Sequence, residues 1–454
     1  MMHLALYLEA GIHHGGWRHP DSATSGGVDW PLYKKIAKRA EAACLDMLFV
    51  ADKLSIDDNY GGHFADTVKY RPVARPEPLT LLAALAAVTD RIGLGGTVSS
   101  SYSAPFTAAR MLANIDHLSG GRAAWNVVTS VSDGEARNHG RATHFAHGER
   151  YQRAEEFIDV VRKLWDSHGD DALVRDVASG VHGDPSRLQY VDHRGAHFDV
   201  RGPLNIARPP QGHPVLIQAG VSETFIDLAA RHAEVVFVVQ ATLPRARDFY
   251  RLIKERAKAF GRDPASIKVL PGIVPIVGVD ARDAREKDAL LKSLIRPEAG
   301  LSFMSASMNH DLSQYPLNAP LPDITERITG SKGRFQYVIQ EAVARGMTVA
   351  EVGKWYAESL SFFSPVGSPQ EVAQQLIDWY QAEACDGFVV LPAYLEEGDD
   401  LFLGQVVPLL QQAGVFRQSY PGTTLRDTLG LTTPGSGPGR VGGIGAGPDT
   451  ARRS

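Results

Sequence analysis

The sequence predicts a (β/α)8 TIM barrel with insertions on the C-terminal face of its strands. Eight short apolar runs alternate with amphipathic stretches along the chain, which is the order that such a barrel requires. Several runs pass straight into polar side chains at their carboxyl ends, where barrels build their sites. A doubly wound sheet is the competing fold, but it normally shows a glycine fingerprint after its first strand. Here the residues after Leu8 open instead into a polar, histidine-rich loop.

The predicted strands are short, are bounded by turn residues and lead into helical patterns. They comprise residues 3–8, 48–51, 92–98, 125–130, 215–219, 234–240, 268–277 and 387–392. Amphipathic periodicity predicts helices at residues 30–44, 77–88, 105–118, 149–165, 223–232, 245–260, 372–383 and 399–413.

Three segments exceed the simple barrel pattern. Residues 54–76 form a long loop on the site face, and a loop of this length is more often functional than idle. Residues 170–213 carry turn signals and a short alternating run, which predict a β-rich excursion. Residues 296–331 contain Phe303, Met304, Met308 and several prolines, as expected of a lid or a subunit contact. We expect residues 1–431 to form one domain and the Gly/Pro-rich residues 432–454 to be a disordered tail.

Composition narrows the classes of function. The formal net charge of -5 gives no reason to expect nucleic acid or an anionic membrane as a partner. No run approaches the ~20 apolar residues of a membrane span, and the amino terminus has no signal-peptide pattern, so we expect a cytoplasmic protein. No zinc-ligand spacing occurs, and no metal is predicted. Cys44 and Cys385 lie in apolar helical patterns and are predicted to be reduced core residues.

Polar residues at the strand ends are the first candidates for a site. Asn126, Thr129 and Ser130 end the fourth strand, Asp52 follows the second, and Gly220 begins the turn after the fifth. Each polar group alone could simply satisfy loop backbone or cap the next helix. Their repetition at several strand ends favours a shared site, because only the loops leaving these ends can converge on a ligand.

The same positions resemble a known family. The residues concerned are Asp52 after Phe49-Val50-Ala51, Gly-Thr-Val-Ser at 96–99, the run 125–130, Ala136-Arg137-Asn138, His147-Gly148-Glu149-Arg150-Tyr151, Gln218-Ala219-Gly220 and Thr424-Leu425-Arg426. In combination they resemble the bacterial-luciferase-like flavin monooxygenases. More specifically, they resemble the branch with the nitrilotriacetate, dibenzothiophene-sulfone and long-chain-alkane monooxygenases, over nearly the whole chain to about residue 431.

The resemblance implies a two-component monooxygenase. Reduced flavin mononucleotide (FMN) would come from a separate NAD(P)H:flavin reductase, and molecular oxygen would be the co-substrate. Oxygen addition at flavin C4a would give a (hydro)peroxide that oxygenates a small organic substrate, while the protein positions the flavin and excludes water. The family also implies a homodimer or homotetramer.

The site residues implied by the resemblance fall into two groups. Asp52, Ser99, Asn126, Thr129 and His147 are expected around the flavin ring and ribityl chain, and Arg150, Tyr151, Gly220, Val221 and Ser222 around the phosphate. The phosphate assignment agrees with physical chemistry, because helix starts, a cation and hydroxyl donors together bind such groups. Instead of binding phosphate, Arg150 and Tyr151 could form a solvated helix start with an aromatic anchor. For Ser222 the alternative is an N-cap role, which is compatible with phosphate binding.

Two features depart from the family pattern near this turn. The second glycine often found downstream of Gly220 is missing, and Glu223 places a like charge near the phosphate unless its side chain points away.

A histidine near the reacting oxygen would stabilise the peroxide or move its proton. The candidates are His13, His14, His147 and His310, of which His147 is favoured by position and His310, in the lid-like segment, comes second. For His13 and His14, a loop residue bonded only to backbone is an equal alternative.

Two other functions stay open at the level of sequence. A deazaflavin-dependent oxidoreductase of the same superfamily would share the strand ends but transfer hydride without oxygen. A non-catalytic flavin-binding protein would keep the phosphate residues and lose the histidines and long loops that this chain has. The sequence does not name the substrate, although Trp17, Phe64, Tyr102 and Phe303 suggest an aromatic or apolar pocket.

Overall fold

Eight parallel strands close into a barrel in the computed structural model of the protein. The structure describes residues 1–9, 11–23, 28–395 and 400–435. The strands follow one another around the ring in chain order, each bonded to its sequence neighbour, and the last returns to the first. This arrangement confirms the predicted (β/α)8 barrel. Residues 436–454, most of the predicted tail, lie outside the described residues, as does residue 399 at the start of the last predicted helix.

The barrel strands are numbered here in chain order. They are β1 (His3–Tyr7), β2 (Met47–Val50), β3 (Gly93–Ser99), β4 (Ala123–Val128), β5 (Val215–Ala219), β6 (Val235–Val238), β7 (Lys268–Ile273) and β8 (Gly387–Val390). The predicted strand at 268–277 was too long. β7 ends at Ile273 because the Val274 N–H donates to the Phe363 carbonyl at 2.8 Å outside the barrel, and Ile276–Val277 then pair with Val366–Gly367 there.

The α-helices surround this barrel or lie in its insertions. They are α1 (Trp30–Ala42), α2 (Ala65–Tyr70), α3 (Pro78–Ala86), α4 (Pro105–Ser119), α5 (Asp133–Asn138), α6 (His147–Trp165), α7 (Glu223–His232), α8 (Leu243–Ala259), α9 (Ala281–Ser293), α10 (Pro297–Met308), α11 (Lys332–Ala344), α12 (Val349–Ser359), α13 (Pro369–Gln381), α14 (Val407–Gln412) and α15 (Leu425–Leu429). The last predicted helix, at 399–413, is helical over the described residues 400–412 and contains a π-helical turn at Phe402–Val406 that leads into α14. None of the helices in the described ranges combines the length and the apolar character needed to cross a bilayer.

Alternate strand residues face two separate cores. In β2, Met47 and Phe49 belong to the cluster inside the barrel, whereas Leu48 and Val50 pack against the surrounding helices. Both faces are apolar because a parallel barrel is covered on the outside by its helices. The strands are therefore held rigidly, and the loops at their carboxyl ends start from fixed positions.

The insertions lie at both ends of the barrel, so the prediction that they extend only the C-terminal face was wrong. The excursion at 170–213 joins the end of α6 to the start of β5 and lies at the amino-terminal ends of the strands, where Gln211 donates to the carbonyl of Ala123, the first residue of β4, at 2.9 Å. The excursion at 170–213 contains two short two-stranded antiparallel sheets, as its turn signals predict. Helices α9 to α12 lie between β7 and β8, and only part of this insertion was anticipated from the sequence. Helix α10, in the segment predicted as a lid or subunit contact, is almost wholly buried and packs on α12. This half of the segment is therefore a fixed wall over the barrel.

Candidate functional site

A cavity of about 380 Å³ opens at the carboxyl ends of the barrel strands. Its walls come from the ends of β2, β4, β5 and β6, the first turns of α6 and α7, helix α10, and residues 330–334 at the start of α11. The volume lies in the range of small-molecule sites, and the position is where barrel enzymes place theirs.

Two helix starts meet at one end of this cavity. Helix α6 begins at His147, so Arg150 and Tyr151 lie in its first turns, and Ser222 is the N-cap of α7. The Ser222 hydroxyl accepts a hydrogen bond from the Phe225 amide at 3.3 Å and lies 3.5 Å from the Tyr151 hydroxyl. Two sets of unpaired helix N–H groups and two hydroxyls are therefore directed at one small volume, as anion sites require.

Arg150 supplies the cation at this end. The residue is only 4 % exposed, and its guanidinium donates to the Ser130 carbonyl at 3.2 Å. Its Nε is buried without a hydrogen-bond partner, and no carboxylate of the described residues lies within 4.0 Å of the group. Burial lowers the pKa of Arg150 from its ordinary value. A buried and unpaired guanidinium is stabilised by an incoming anion, because the charge-assisted bonds replace lost hydration.

The turn before α7 is shaped for close approach. A Cβ atom at Gly220 would stand 2.7 Å from the Phe225 ring, so only glycine fits there without displacing the ring. The neighbouring Glu223 is turned away from the cavity, where its carboxylate lies 3.5 Å from Arg256. The like charge that the sequence placed near the expected phosphate is thus directed outward.

Asn126 and Gln218 carry unsatisfied polar atoms inside the cavity. Both side chains are buried in the wall, and neither Asn126 Oδ1 nor Gln218 Oε1 has a hydrogen-bond partner among the described residues. The Asn126 amide is fixed in orientation, since its Nδ2 donates to Thr97 at 2.9 Å and Thr97 donates to the Val50 carbonyl. Buried polar atoms nearly always have a hydrogen-bond partner in proteins, so these two acceptors suit a ligand that has N–H or O–H groups to donate. The polar edge of a flavin ring and its ribityl hydroxyls fit that requirement.

Asp52 lies in the wall at the end of β2. Its carboxylate accepts from the Lys53 amide at 2.8 Å, and burial raises the pKa of Asp52 to about 6. The group therefore changes charge close to physiological pH, which is uncommon for a carboxylate.

Nine of the eleven predicted site residues line this one cavity. They are Asp52, Asn126, Thr129, His147, Arg150, Tyr151, Gly220, Val221 and Ser222. His147 lies at the exposed mouth with its ring 4.9 Å from that of Tyr151. Burial, then Arg150 and Lys332, lower the pKa of His147.

Ser99 and His310 are not among the lining residues. The Ser99 hydroxyl is buried behind the wall, 2.9 Å from the Ser130 hydroxyl, so it supports the loop after β4. The His310 ring bonds to the Tyr315 hydroxyl at 3.0 Å in the loop that follows α10. Of the four aromatic residues suggested for a substrate pocket, Phe303 lines the cavity, whereas Trp17 and Phe64 are exposed.

Sequence reasoning missed several polar residues of the wall. Glu9 pairs with Arg75 at 2.8 Å in the wall, and Arg334 reaches the cavity from α11. Arg75 and Arg334 come from long insertions, which give no local signal. Glu135 was detectable, because Ser132 and Glu135 have the spacing of a capping box, and its carboxylate accepts from the Val131 amide at 3.1 Å and the Ser132 amide at 3.2 Å.

Comparison with known proteins agrees with this geometry. The sequence profile of the luciferase-like monooxygenases matches residues 12–385. The chain belongs to this family. Within it, the chain is 45% identical over 436 residues to N-acetyl-S-(2-succino)cysteine monooxygenase of Bacillus subtilis (strain 168), covering 95% of this chain and 97% of that protein. It is 42% identical to nitrilotriacetate monooxygenase component A of Aminobacter aminovorans, covering 94% and 96%.

Solved structures share the fold over nearly the whole chain. The crystal structure of riboflavin lyase with a modified FMN and the substrate riboflavin superposes with a TM-score of 0.85 at 31% identity, covering 95% of this chain and 96% of that one. By contrast, the coenzyme F420-dependent tetrahydromethanopterin reductase of Methanopyrus kandleri is 16% identical with a TM-score of 0.55, which is a likeness of fold alone.

Proposed function

We propose that the protein is a two-component monooxygenase that uses reduced FMN and molecular oxygen to oxygenate a small organic substrate. The observation that carries the proposal is the end of the cavity where Arg150, Tyr151 and Ser222 meet. A buried guanidinium without a carboxylate partner, two hydroxyls and two helix starts form a site for a phosphate. Unpaired amide oxygens in the same wall accept from the rest of a flavin nucleotide.

When bound, reduced FMN supplies the activation of oxygen, and the chain supplies position and environment. Arg150, Tyr151 and Ser222 hold the phosphate end. Asn126 and Gln218 accept hydrogen bonds from the polar edge of the ring or the ribityl chain, which fixes its orientation. Since the Asn126 amide is itself held by Thr97, little reorganisation is needed on binding.

His147 is the group proposed to hold or move a proton at the reacting oxygen. Its lowered pKa keeps the imidazole neutral near pH 7, so one ring nitrogen can accept a proton and the other can donate one. Phe49, Phe237 and Phe362 line the cavity with apolar surface, which excludes water from the reacting atoms.

A separate NAD(P)H:flavin reductase is the proposed partner. The first βα turn lacks the glycine fingerprint of a nicotinamide site, and the relative from Aminobacter aminovorans is named as component A of its system. We expect the purified chain to hold little flavin and to be inactive with NADH alone. A single domain over residues 1–431, a homodimer or homotetramer and a cytoplasmic compartment also stay predictions.

Label incorporation from ¹⁸O₂ tests this function. The chain is mixed with NADH, FMN, a flavin reductase and ¹⁸O₂, with N-acetyl-S-(2-succino)cysteine and nitrilotriacetate among the trial substrates. Product mass is a sharper readout than oxygen uptake, because free reduced FMN consumes oxygen by itself. We expect one labelled oxygen per product, formed only when reductase, FMN and chain are all present. Turnover of NADH by the chain alone would contradict the proposal.

A further inference from the structure

One guanidinium group in the cavity wall has no carboxylate partner and no role in the site described so far. Arg334 lies in the first turn of α11 and lines the cavity. One of its nitrogens donates to the Leu360 carbonyl, and its Nε is buried with no hydrogen-bond partner among the described residues. No acidic side chain in the described ranges lies within 4.0 Å of it. An anion would therefore find free donors and an uncompensated charge.

The other cations that line the cavity are paired with a carboxylate, serve the proposed phosphate site or are exposed. Arg75 is paired with Glu9 at 2.8 Å, and Lys53 is paired with Asp57. Arg150 serves the proposed phosphate site. Lys332, on the same turn as Arg334, is exposed and lies 4.0 Å from Glu326. Arg334 is thus the partly buried cation that is left for a second anionic group.

The surroundings of Arg334 favour an anion and fix the guanidinium in place. Its central carbon lies 5.2 Å from the Phe362 ring centre and 5.4 Å from that of Tyr356, so the group packs against two aromatic rings. The first turn of α11 contains no acidic residue, and its N-cap Ser331 makes no side-chain capping bond. The free amide groups of this helix start add a positive end to the same part of the wall.

Aromatic rings cross the cavity from one side of the barrel to the other, with a carboxylate at one end and the Arg334 guanidinium at the other. Phe237 belongs to β6, which is opposite β2 in the ring of eight strands. A row of ring contacts crosses this distance: Phe49 to Phe237 at 5.6 Å and Phe237 to Phe362 at 5.6 Å, with Arg334 beyond. Asp52 lies at the β2 end. Lys53 and Arg75 on that side are paired with Asp57 and Glu9, so the Arg334 guanidinium is the cation along this row that has no carboxylate partner among the described residues.

We propose that Arg334 binds a carboxylate of the substrate, which makes the substrate a small organic acid whose apolar part lies along the row of phenylalanine rings. A guanidinium can bind a carboxylate through two parallel hydrogen bonds, which gives orientation as well as affinity. The proposal rests on the proposed function, because it assigns the Arg150 end of the cavity to the phosphate of the flavin.

The test compares phenylsuccinate with its dimethyl ester by calorimetric titration of the FMN-loaded protein. The two probes share the aromatic part and differ in charge. We expect the wild type to bind the diacid at least tenfold more tightly than the diester, because charge-assisted hydrogen bonds change an affinity by about that factor. In Arg334→Met, which keeps an aliphatic chain against the rings, the preference should fall below about threefold, with Arg334→Lys between the two. The matched control is Arg345→Met. Arg345 lies at the other end of α11 and stacks on Trp355 at 5.1 Å. This variant should prefer the diacid over the diester by the same factor as the wild type does.

Two results would overturn the proposal. One is a wild type without preference for the diacid, or an equal preference in Arg334→Met. The other is a selective loss of FMN over riboflavin binding in Arg334→Met, which would assign Arg334 to the phosphate. The probe titrations are repeated without flavin, so that the carboxylate preference is measured even if FMN fails to bind. Failure of the wild type to prefer FMN over riboflavin would count against the proposed function instead.

Discussion

The hydroxyl group of Tyr151 lies 3.5 Å from the hydroxyl group of Ser222, although the two residues are 71 positions apart in sequence. The contact joins the first turn of α6 to the N-cap of α7 at one end of the cavity. The packing of the chain thus brings together the two helix starts of the proposed anion site. The proposed cofactor assignment depends on this geometry.

Removing the charge of Arg150 should weaken phosphate recognition selectively. A charge-assisted hydrogen bond contributes on the order of 1.5–3 kcal/mol, so Arg150→Met should bind reduced FMN roughly ten- to a hundredfold more weakly. Riboflavin binding should change little. The control is Arg153→Met, one turn further along α6, where the guanidinium stacks on Phe198 at 4.2 Å instead of lining the cavity. Equal loss of both ligands in Arg150→Met would show that Arg150 supports the fold only.

A methyl group at Gly220 should disturb the turn before α7. The added carbon meets the Phe225 ring at 2.7 Å, and overpacking of this kind costs about 1–3 kcal/mol. Gly220→Ala should therefore lower the urea midpoint of unfolding and weaken FMN binding together. Gly148→Ala is the matched control, since a Cβ there meets nothing within 4 Å in the first turn of α6. An unchanged FMN affinity in Gly220→Ala would mean that the turn does not approach the ligand closely.

His147 should control the coupling of oxygen use to product. In His147→Ala, reduced FMN should still bind within about tenfold of the wild type, because the phosphate residues are intact. In single turnovers of pre-bound reduced FMN with substrate, this variant should release hydrogen peroxide in place of oxygenated product. His139→Ala, an exposed residue whose ring stacks on Tyr102 at 4.5 Å, should stay coupled. Normal coupling in His147→Ala would remove the residue from the mechanism.

Closure over the site is expected from the non-helical half of the 296–331 segment, because α10 is already a buried wall. Limited proteolysis at residues 309–331 should therefore slow when reduced FMN and substrate are both bound. Cleavage at the same rate with and without the ligands would exclude a lid.

Asp52 should make stability depend on pH near neutrality. Burial raises its pKa from 3.8 to about 6, so the folded state binds this proton more tightly than the unfolded state does. The stabilising contribution is present below pH 3.8 and is lost as the pH rises through about 6. Asp52→Asn should therefore gain stability relative to the wild type as the pH is raised from 5 to 8. A difference in unfolding midpoint that stays constant over this range would contradict the shift.

The barrel and much of the site were predictable because their signals are local. Asp52 and Ser222 each follow an apolar strand, Asn126 lies within one, and Arg150 is in the first turn of a helix with clear periodicity. Residues that reach the cavity from insertions have no such local signal, so the sequence did not predict them. Arg334 is carried by α11, and its place beside Phe362 depends on how α11 and α12 pack over the barrel.

Two predicted site residues do not line the cavity, for similar reasons. Ser99 ends a barrel strand, but its hydroxyl is taken up by Ser130, a contact that sequence periodicity does not show. His310 lies in the segment that covers the site, yet its ring is held by Tyr315 within that segment. In both cases the sequence predicted the segment that carries the residue. The hydrogen bond of its side chain to another residue, which the sequence pattern does not show, fixes where that side chain lies.

Anaerobic titration of the wild-type chain with reduced FMN and with reduced riboflavin tests the central claim most directly. The two ligands differ only in the phosphate, so their ratio of affinities measures the site formed by Arg150, Tyr151 and Ser222. The arrangement of these residues predicts reduced FMN binding at least tenfold more tightly than reduced riboflavin. Equal affinities, or no binding of either ligand, would contradict the assignment of this cavity to reduced FMN.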